Sequence, residues 1–321
     1  MPYLIGTDEA GYAPNLGPLV ISAAVWRVED ASAGDDLYQR LRSVVSKAPS
    51  RTHPLKRVVI GDSKLLYRPP HDLSLLERGL LAVLGTIDCW PATWLEIWRS
   101  LDVDCGLHLD LLPWHVDYEL DLPLAADGNE LRSVVPKLRR GIERAGVRLV
   151  AIRSATVFPE RFNQCTDRFG NKGETLSKLT LGLIEQVLSL CGDEPVTIVC
   201  DKHGGRNFYG RLLQQQFPDP LIEVRRESSL ESVYGWGPAE RRVEIRFRVG
   251  GESFLPAALA SMASKYLREL AMRAFNDYWR TRVPDLRPTA GYPSDARRFK
   301  DAIQHAQTQL GIDDRILWRA R

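Results

Sequence analysis

Four acidic positions in this chain, Asp8, Glu9, Asp201 and Glu252, stand where apolar runs end or in the turns just after them. Asp62 also follows such a run. Carboxylates gathered without partners repel one another and resist ionisation. Two divalent cations roughly 3.5–4 Å apart would relieve that repulsion, activate a water and stabilise the leaving oxygen of a phosphodiester. Oxygen-only ligands suit hard cations such as Mg²⁺ or Mn²⁺. From spacing alone, unrelated surface acids stand beside phosphoryl chemistry as an equal reading. Strand alternation sends Asp8 and Glu9 to opposite faces, so one shared site requires a bend, which Gly11 makes cheap.

The elements that must carry these acids read as alternating strands and helices, an α/β chain. Tyr3–Thr7 and Leu19–Val25 are short, apolar and partly β-branched, with a Gly/Pro loop between them. Apolar residues at helical spacing predict helices over Asp36–Ser46, Leu73–Leu84, Thr175–Leu190 and Ala257–Arg280, with a break at Pro69–Pro70. Arg148–Ser154 reads as a strand, and Pro195–Cys200 as one buried on both faces. Ligands in open α/β sheets bind beyond the carboxyl ends of such strands, which is where Asp201 falls. Arg241–Val249 alternates and leads into Gly250-Gly251-Glu252.

The 321 residues, 44% of them hydrophobic, allow a substantial core. No apolar run approaches the roughly 20 residues of a membrane span, and no signal peptide is legible, so a cytoplasmic protein without membrane contact is expected. Five cysteines without a Cys-x-x-Cys pair read as thiols of a reducing compartment. The net charge is only +2, but it is unevenly spread. Thr86–Glu130 holds ten acids against Arg99 alone, whereas Ser261–Arg321 holds twelve Lys or Arg against seven acids. A basic carboxy-terminal face can meet phosphate, although two solvated faces account for the same counts. Residues 86–145 read as an insertion. They carry four of the eight tryptophans, and Trp90, Trp94 and Trp98 would share one helical stripe. An acidic segment repels a nucleic-acid backbone, so these rings are expected to pack against the core or a second subunit. His108 and His115 form no metal pattern.

Five segments in order resemble the ribonuclease HII family. Asp8-Glu9-Ala-Gly11 followed by Gly17-Pro18 is similar to its opening motif, and Asp62-Ser63-Lys64 to its Asp-Ser-Lys motif. Val199-Cys200-Asp201 resembles the strand of the third acid. Ala258–Lys265, with Glu252 just upstream, resembles its Ala-Ala-Ser helix, and Gly291-Tyr292-Pro-Ser294 its Gly-Tyr-Gly-Thr segment. The resemblance implies a ribonuclease-H-like mixed five-stranded sheet flanked by helices. A catalytic core over 1–85 and 146–260 and a helical region over 261–321 closing on substrate go with it. It implies Mg²⁺- or Mn²⁺-dependent cleavage of RNA in RNA–DNA hybrids, or at ribonucleotides embedded in duplex DNA, leaving 3′-hydroxyl and 5′-phosphate ends. Asp8, Glu9, Asp201 and Glu252 would be catalytic metal ligands. Gly11, Tyr12 and Ala13 would face the ribose 2′-hydroxyl, Ser63 and Lys64 the substrate backbone, and Tyr292 the sugar beside the junction.

Three features depart from the family pattern. Gly11-Tyr12-Ala13 stands where the family has Gly-Arg-Gly, which puts recognition of the 2′-hydroxyl in question. Glu252 is one methylene longer than the usual aspartate and about one position out of register. Asp201 is followed by Lys-His-Gly-Gly-Arg-Asn rather than Gly-Asn; Arg206 there offers paired donors to phosphate, and His203 is either a proton shuttle or merely solvated. A related nuclease of altered specificity and a non-catalytic nucleic-acid-binding protein of the same fold are the alternative readings.

Overall fold

The computed structural model describes residues 2–29, 36–50, 56–67, 72–102, 104, 109 and 111–319. In chain order the elements are β1 (Tyr3–Ala10), β2 (Leu19–Val28), α1 (Leu37–Arg40), β3 (Val45–Ser46), β4 (Val58–Val59), α2 (Ser63–Leu66) and α3 (Ser74–Gly85). Next come α4 (Trp94–Leu101), α5 (Gly128–Arg144), β5 (Val147–Val157), α6 (Pro159–Phe169), α7 (Lys172–Leu188), β6 (Val196–Asp201) and α8 (Gly210–Gln216). The chain ends with β7 (Glu223–Glu227), β8 (Glu231–Trp236), β9 (Val243–Arg248), α9 (Leu255–Arg280), α10 (Pro293–Gln309) and α11 (Asp314–Leu317).

The main sheet runs β5-β2-β1-β6-β9-β8-β7, and β1 pairs antiparallel with β2 but parallel with β6. Five strands, β5 to β9 through β1, make the expected mixed sheet. The β7–β8 hairpin adds two more. Alternation along the central strands sorts two cores. Leu4, Val20, Ala24 and Trp26 face α9 and α3, whereas Tyr3, Ile5, Ile21 and Val25 face α7 and α8.

Helix α9 presses on the sheet at Gly6, where a Cβ would fall 1.9 Å from the Ala257 nitrogen. Only glycine permits that approach. Residues 86–145 contribute to the same core as α9: Trp94, Ile97, Trp98 and Leu131 pack with Leu80 and Leu267. The expected three-tryptophan stripe is shorter. Trp94 and Trp98 are buried on α4, but Trp90 precedes that helix and is half exposed. Glu77 anchors this region. Its buried carboxylate accepts the N–H groups of Leu124 (2.7 Å), Ala125 (2.6 Å) and Ala126 (2.8 Å), and the Tyr266 hydroxyl (2.5 Å).

The helix expected over Asp36–Ser46 stops at Arg40. The chain then turns and places Val45–Ser46 beside Val58–Val59 as a parallel pair, so β-branched Val44 and Val45 serve a strand rather than a helical face. The break at Pro69–Pro70, Cys105 and His108 lie outside the described residues. No helix among the described residues is long and apolar enough to cross a membrane.

Candidate active site

Sheet order gathers the acids. Thr7 pairs with Cys200 as the last register position between β1 and β6, so Asp8 and Asp201 follow side by side at adjacent strand ends. Asp201 pairs with Arg248 on β9, and the chain turns through Gly250 into a short 3₁₀ turn, Gly251–Ser253, carrying Glu252 to the same edge. The Gly251 N–H donates to Asp201 Oδ1 (3.3 Å), and a Cβ on Gly251 would lie 3.2 Å from the Asp201 nitrogen. The turn therefore sits directly on the end of β6.

Strand β1 does not bend before Gly11. It keeps its ladder with β2 through Ala10, so Asp8 points to the α9 face and Glu9 to the opposite one. The two acids flank one strand end rather than converging from a kink. Asp8 is buried, and its carboxyl is pushed up to about 7 by that burial, against the opposing effect of a Ser261 hydrogen bond, with Asp201 and Glu252 adding repulsion. Glu9 is pushed up to about 8 by burial and then by Asp8 and Asp201, with Lys64 pulling the other way. These are acids held where negative charge is costly, the electrostatic setting a cation would relieve.

No group of three or more His, Cys, Asp or Glu side chains among the described residues stands in metal-holding geometry. Three of the acids have local partners. Asp8 Oδ1 accepts the Glu9 N–H at 2.8 Å, Asp201 takes the Gly251 N–H, and Glu252 Oε1 lies 3.8 Å from Lys64 Nζ. The donor set still fits a hard divalent cation, being all carboxylate oxygen at one sheet edge.

Around the acids runs a hydroxyl network that motif spacing only half reveals. Ser63 is buried at the start of α2, capped by Asp62, and its Oγ meets Ser261 Oγ at 2.9 Å. Ser264 Oγ donates to the Asp8 carbonyl (3.0 Å) and lies 2.8 Å from Ser22 Oγ, which in turn meets Ser154 Oγ (2.8 Å). Ser261, Ser264 and Arg268 recur at three- and four-residue steps on α9, one helical face; the two serines fall within the matched Ala258–Lys265 segment, where no role was assigned to them.

The expected substrate residues are differently placed: Ser63 is buried against Ser261. Lys64 and Tyr292 are exposed, as is Ala13; Gly11 holds φ +87° and touches Arg268, and Tyr12 is half-buried near Glu9. Arg206 is committed elsewhere, in a 2.9 Å ion pair with Glu174 at the start of α7. His203 is no shuttle: it is buried, meets Ser177 Oγ at 3.1 Å, packs on Tyr209 and Phe247, and burial holds its pKa down at about 3.

No protein-family profile matches the sequence. No curated protein matches it either. Among solved structures, the ribonuclease HII of Archaeoglobus fulgidus, determined in complex with PCNA, is 14% identical, covering 99% of this chain and 94% of that one at a TM-score of 0.42. Ribonuclease H2 of Pyrococcus horikoshii is 14% identical over 98% of this chain and 92% of that one, at 0.43. Bst-RNase HIII, in complex with Mn²⁺, is 14% identical over 99% and 65%, at 0.38. These are distant likenesses in overall architecture.

Proposed function

We propose that this chain is a metal-dependent endonuclease of the type 2 ribonuclease H kind, hydrolysing RNA in RNA–DNA hybrids or at ribonucleotides embedded in duplex DNA. The observation that supports the reading is the register of β1 and β6, which sets Asp8 next to Asp201 on adjacent parallel strands, with the turn that bears Glu252 seated on the end of β6; Glu9 follows on the other face of β1. Asp8, Glu9, Asp201 and Glu252 would hold Mg²⁺ or Mn²⁺, which when bound supplies an activated water and stabilises the leaving 3′-oxygen. Lys64, exposed beside Glu252, would meet the substrate backbone. Tyr292, 54% exposed at the head of α10, would stack on the sugar next to the cut. Residues 1–85 and 146–260 form the catalytic core in this reading, 261–321 close over the substrate, and 86–145 brace the core from behind.

Gly11-Tyr12-Ala13 favours a second reading, the same chemistry with altered specificity. Tyr12 brings no positive charge to the turn, and its phenol is held above its usual range by burial and by Glu9. Cleavage of three duplexes in Mn²⁺ tests both readings: one with a single ribonucleotide, one uniform RNA–DNA hybrid, and one all-DNA control. Cutting at the single ribonucleotide supports junction specificity, and hybrid cleavage alone supports the altered form. Binding without cleavage of any of them would leave a nucleic-acid-binding protein.

A further inference from the structure

The turn from Gly11 to Gly17 is gripped from two sides by segments about 275 to 305 residues away in sequence. On one side, the Gly291 carbonyl accepts the N–H groups of Asn15 (2.8 Å) and Leu16 (3.3 Å). On the other, the last described residues lie along the turn. The Arg319 N–H donates to the Asn15 carbonyl (2.8 Å), Asn15 Nδ2 donates back to the Arg319 carbonyl (3.2 Å), and Leu16 bridges to Trp318. The Arg319 guanidinium is fully buried and donates to the Pro14 carbonyl. Its Nε and Nη1 have no hydrogen-bond partner among the described residues, and it lies 4.9 Å from the Phe162 ring centre. Arg268, also buried, reaches the turn from α9 and donates to the carbonyls of Leu16 (3.3 Å) and Ala290 (3.0 Å).

Two buried guanidiniums aimed at main-chain carbonyls are costly to keep. Each loses hydration, neither forms an ion pair with a carboxylate among the described residues, and they repel one another. Hydrophobic residues of similar size would fill the same space at lower cost. What the arginines add is direction: a planar fork holds a carbonyl at a set angle, which an apolar side chain does not.

We infer that Arg319, supported by Arg268, is a positioning residue that holds the Gly11–Gly17 turn in the shape that reads a ribose 2′-hydroxyl, so that the carboxy-terminal segment sets ribonucleotide selectivity. The inference deepens the nuclease reading and rests on it. Arg268 leaves no room for a side chain at Gly11, where a Cβ would fall 2.5 Å from its Nε, so the guanidinium and the turn are packed closely together.

The test compares wild-type protein with Arg319→Met and Arg319→Lys. The readouts are kcat/KM on the single-ribonucleotide duplex relative to the uniform hybrid, and amide hydrogen exchange at Asn15 and Leu16. Arg319→Met is expected to lower that ratio about 10-fold and to speed exchange at both amides by a similar factor, with Arg319→Lys recovering part of each. Equal loss on both substrates, or unchanged exchange, would overturn the inference, since a merely structural role lowers both activities together. Should Arg319→Met not fold, Asn163→Ala replaces it. Asn163 Nδ2 holds the Trp318 carbonyl at 2.9 Å from α6, and its loss is expected to shift both readouts in the same direction by less. Wild-type silence on every duplex would remove the nuclease reading, and the exchange data would then decide the clamp alone.

Discussion

Lys64 Nζ lies 3.8 Å from Glu252 Oε1, joining α2 to the turn after β9 beside the acidic edge. The lysine side chain is 82% exposed, so this pair contributes little to stability. Its position beside four carboxylates gives it a different use. A cation there offsets part of their mutual repulsion and stands ready for a phosphate.

Lys64→Ala should therefore weaken substrate binding while leaving the fold alone. The expected change is roughly 10-fold in KM with unfolding free energy altered by no more than about 0.5 kcal/mol. The slope of log binding constant against log salt should fall by about 0.9, the signature of one lost phosphate contact. An unchanged slope in a salt titration would exclude the contact.

Asp8→Asn should abolish cleavage and yet stabilise the metal-free protein. The Asp8 carboxyl ionises near 7 in the fold but near 3.8 when unfolded, so the folded state favours its protonated form. That contribution is fully present below the unfolded value and is lost as pH rises through about 7. The gain in Tm from Asp8→Asn should accordingly be larger at pH 8 than at pH 5. Adding Mn²⁺ should raise the wild-type Tm and leave the variant unmoved. Calorimetry at both pH values, with and without the metal, checks all three statements.

Glu77→Ala should be among the most damaging single changes outside the acidic edge. It strips the partner from three backbone N–H groups and the Tyr266 hydroxyl in a buried setting, at a cost of about 3–5 kcal/mol. Glu77→Gln keeps an acceptor and the volume and should cost about half as much. Urea midpoints would show it; two variants of equal stability would mean that the 124–126 loop is held by something else.

His115 and His203 should steepen acid unfolding. Burial lowers both to about 3, whereas an unfolded histidine takes up its proton near 6.5. Between those values the unfolded chain binds the extra protons, so stability falls as pH drops from about 6.5 toward 3. Neither ring nitrogen of His115 has a hydrogen-bond partner among the described residues, and the ring is enclosed by Trp94, Trp114 and Phe158. His115→Leu should be close to neutral at pH 7 and protective at pH 5. Equal Tm differences at the two pH values would refute the burial argument.

Much of this protein was legible in its residues taken in order. Apolar runs with β-branched content located β1, β2 and β6, and alternation located β9, because strand faces and strand ends are local properties of the chain. The Ser261–Arg268 face of α9 was equally visible to helical periodicity. What the tertiary structure alone decided is which ends meet. Asp8 reaches Asp201 because β1 and β6 are parallel neighbours, and the sheet extends because β8, with Val233, Tyr234 and Trp236 buried, pairs with β9 and leaves the charged, exposed β7 at the edge. Arg206 turned to Glu174 and away from phosphate, a choice made by a helix start 32 residues earlier. Arg319 meets Pro14 across 305 positions. Periodicity carries no record of such pairings. They follow from sheet order and loop closure over the whole chain, where packing and hydrogen bonding must outweigh the entropy lost in bringing distant segments together.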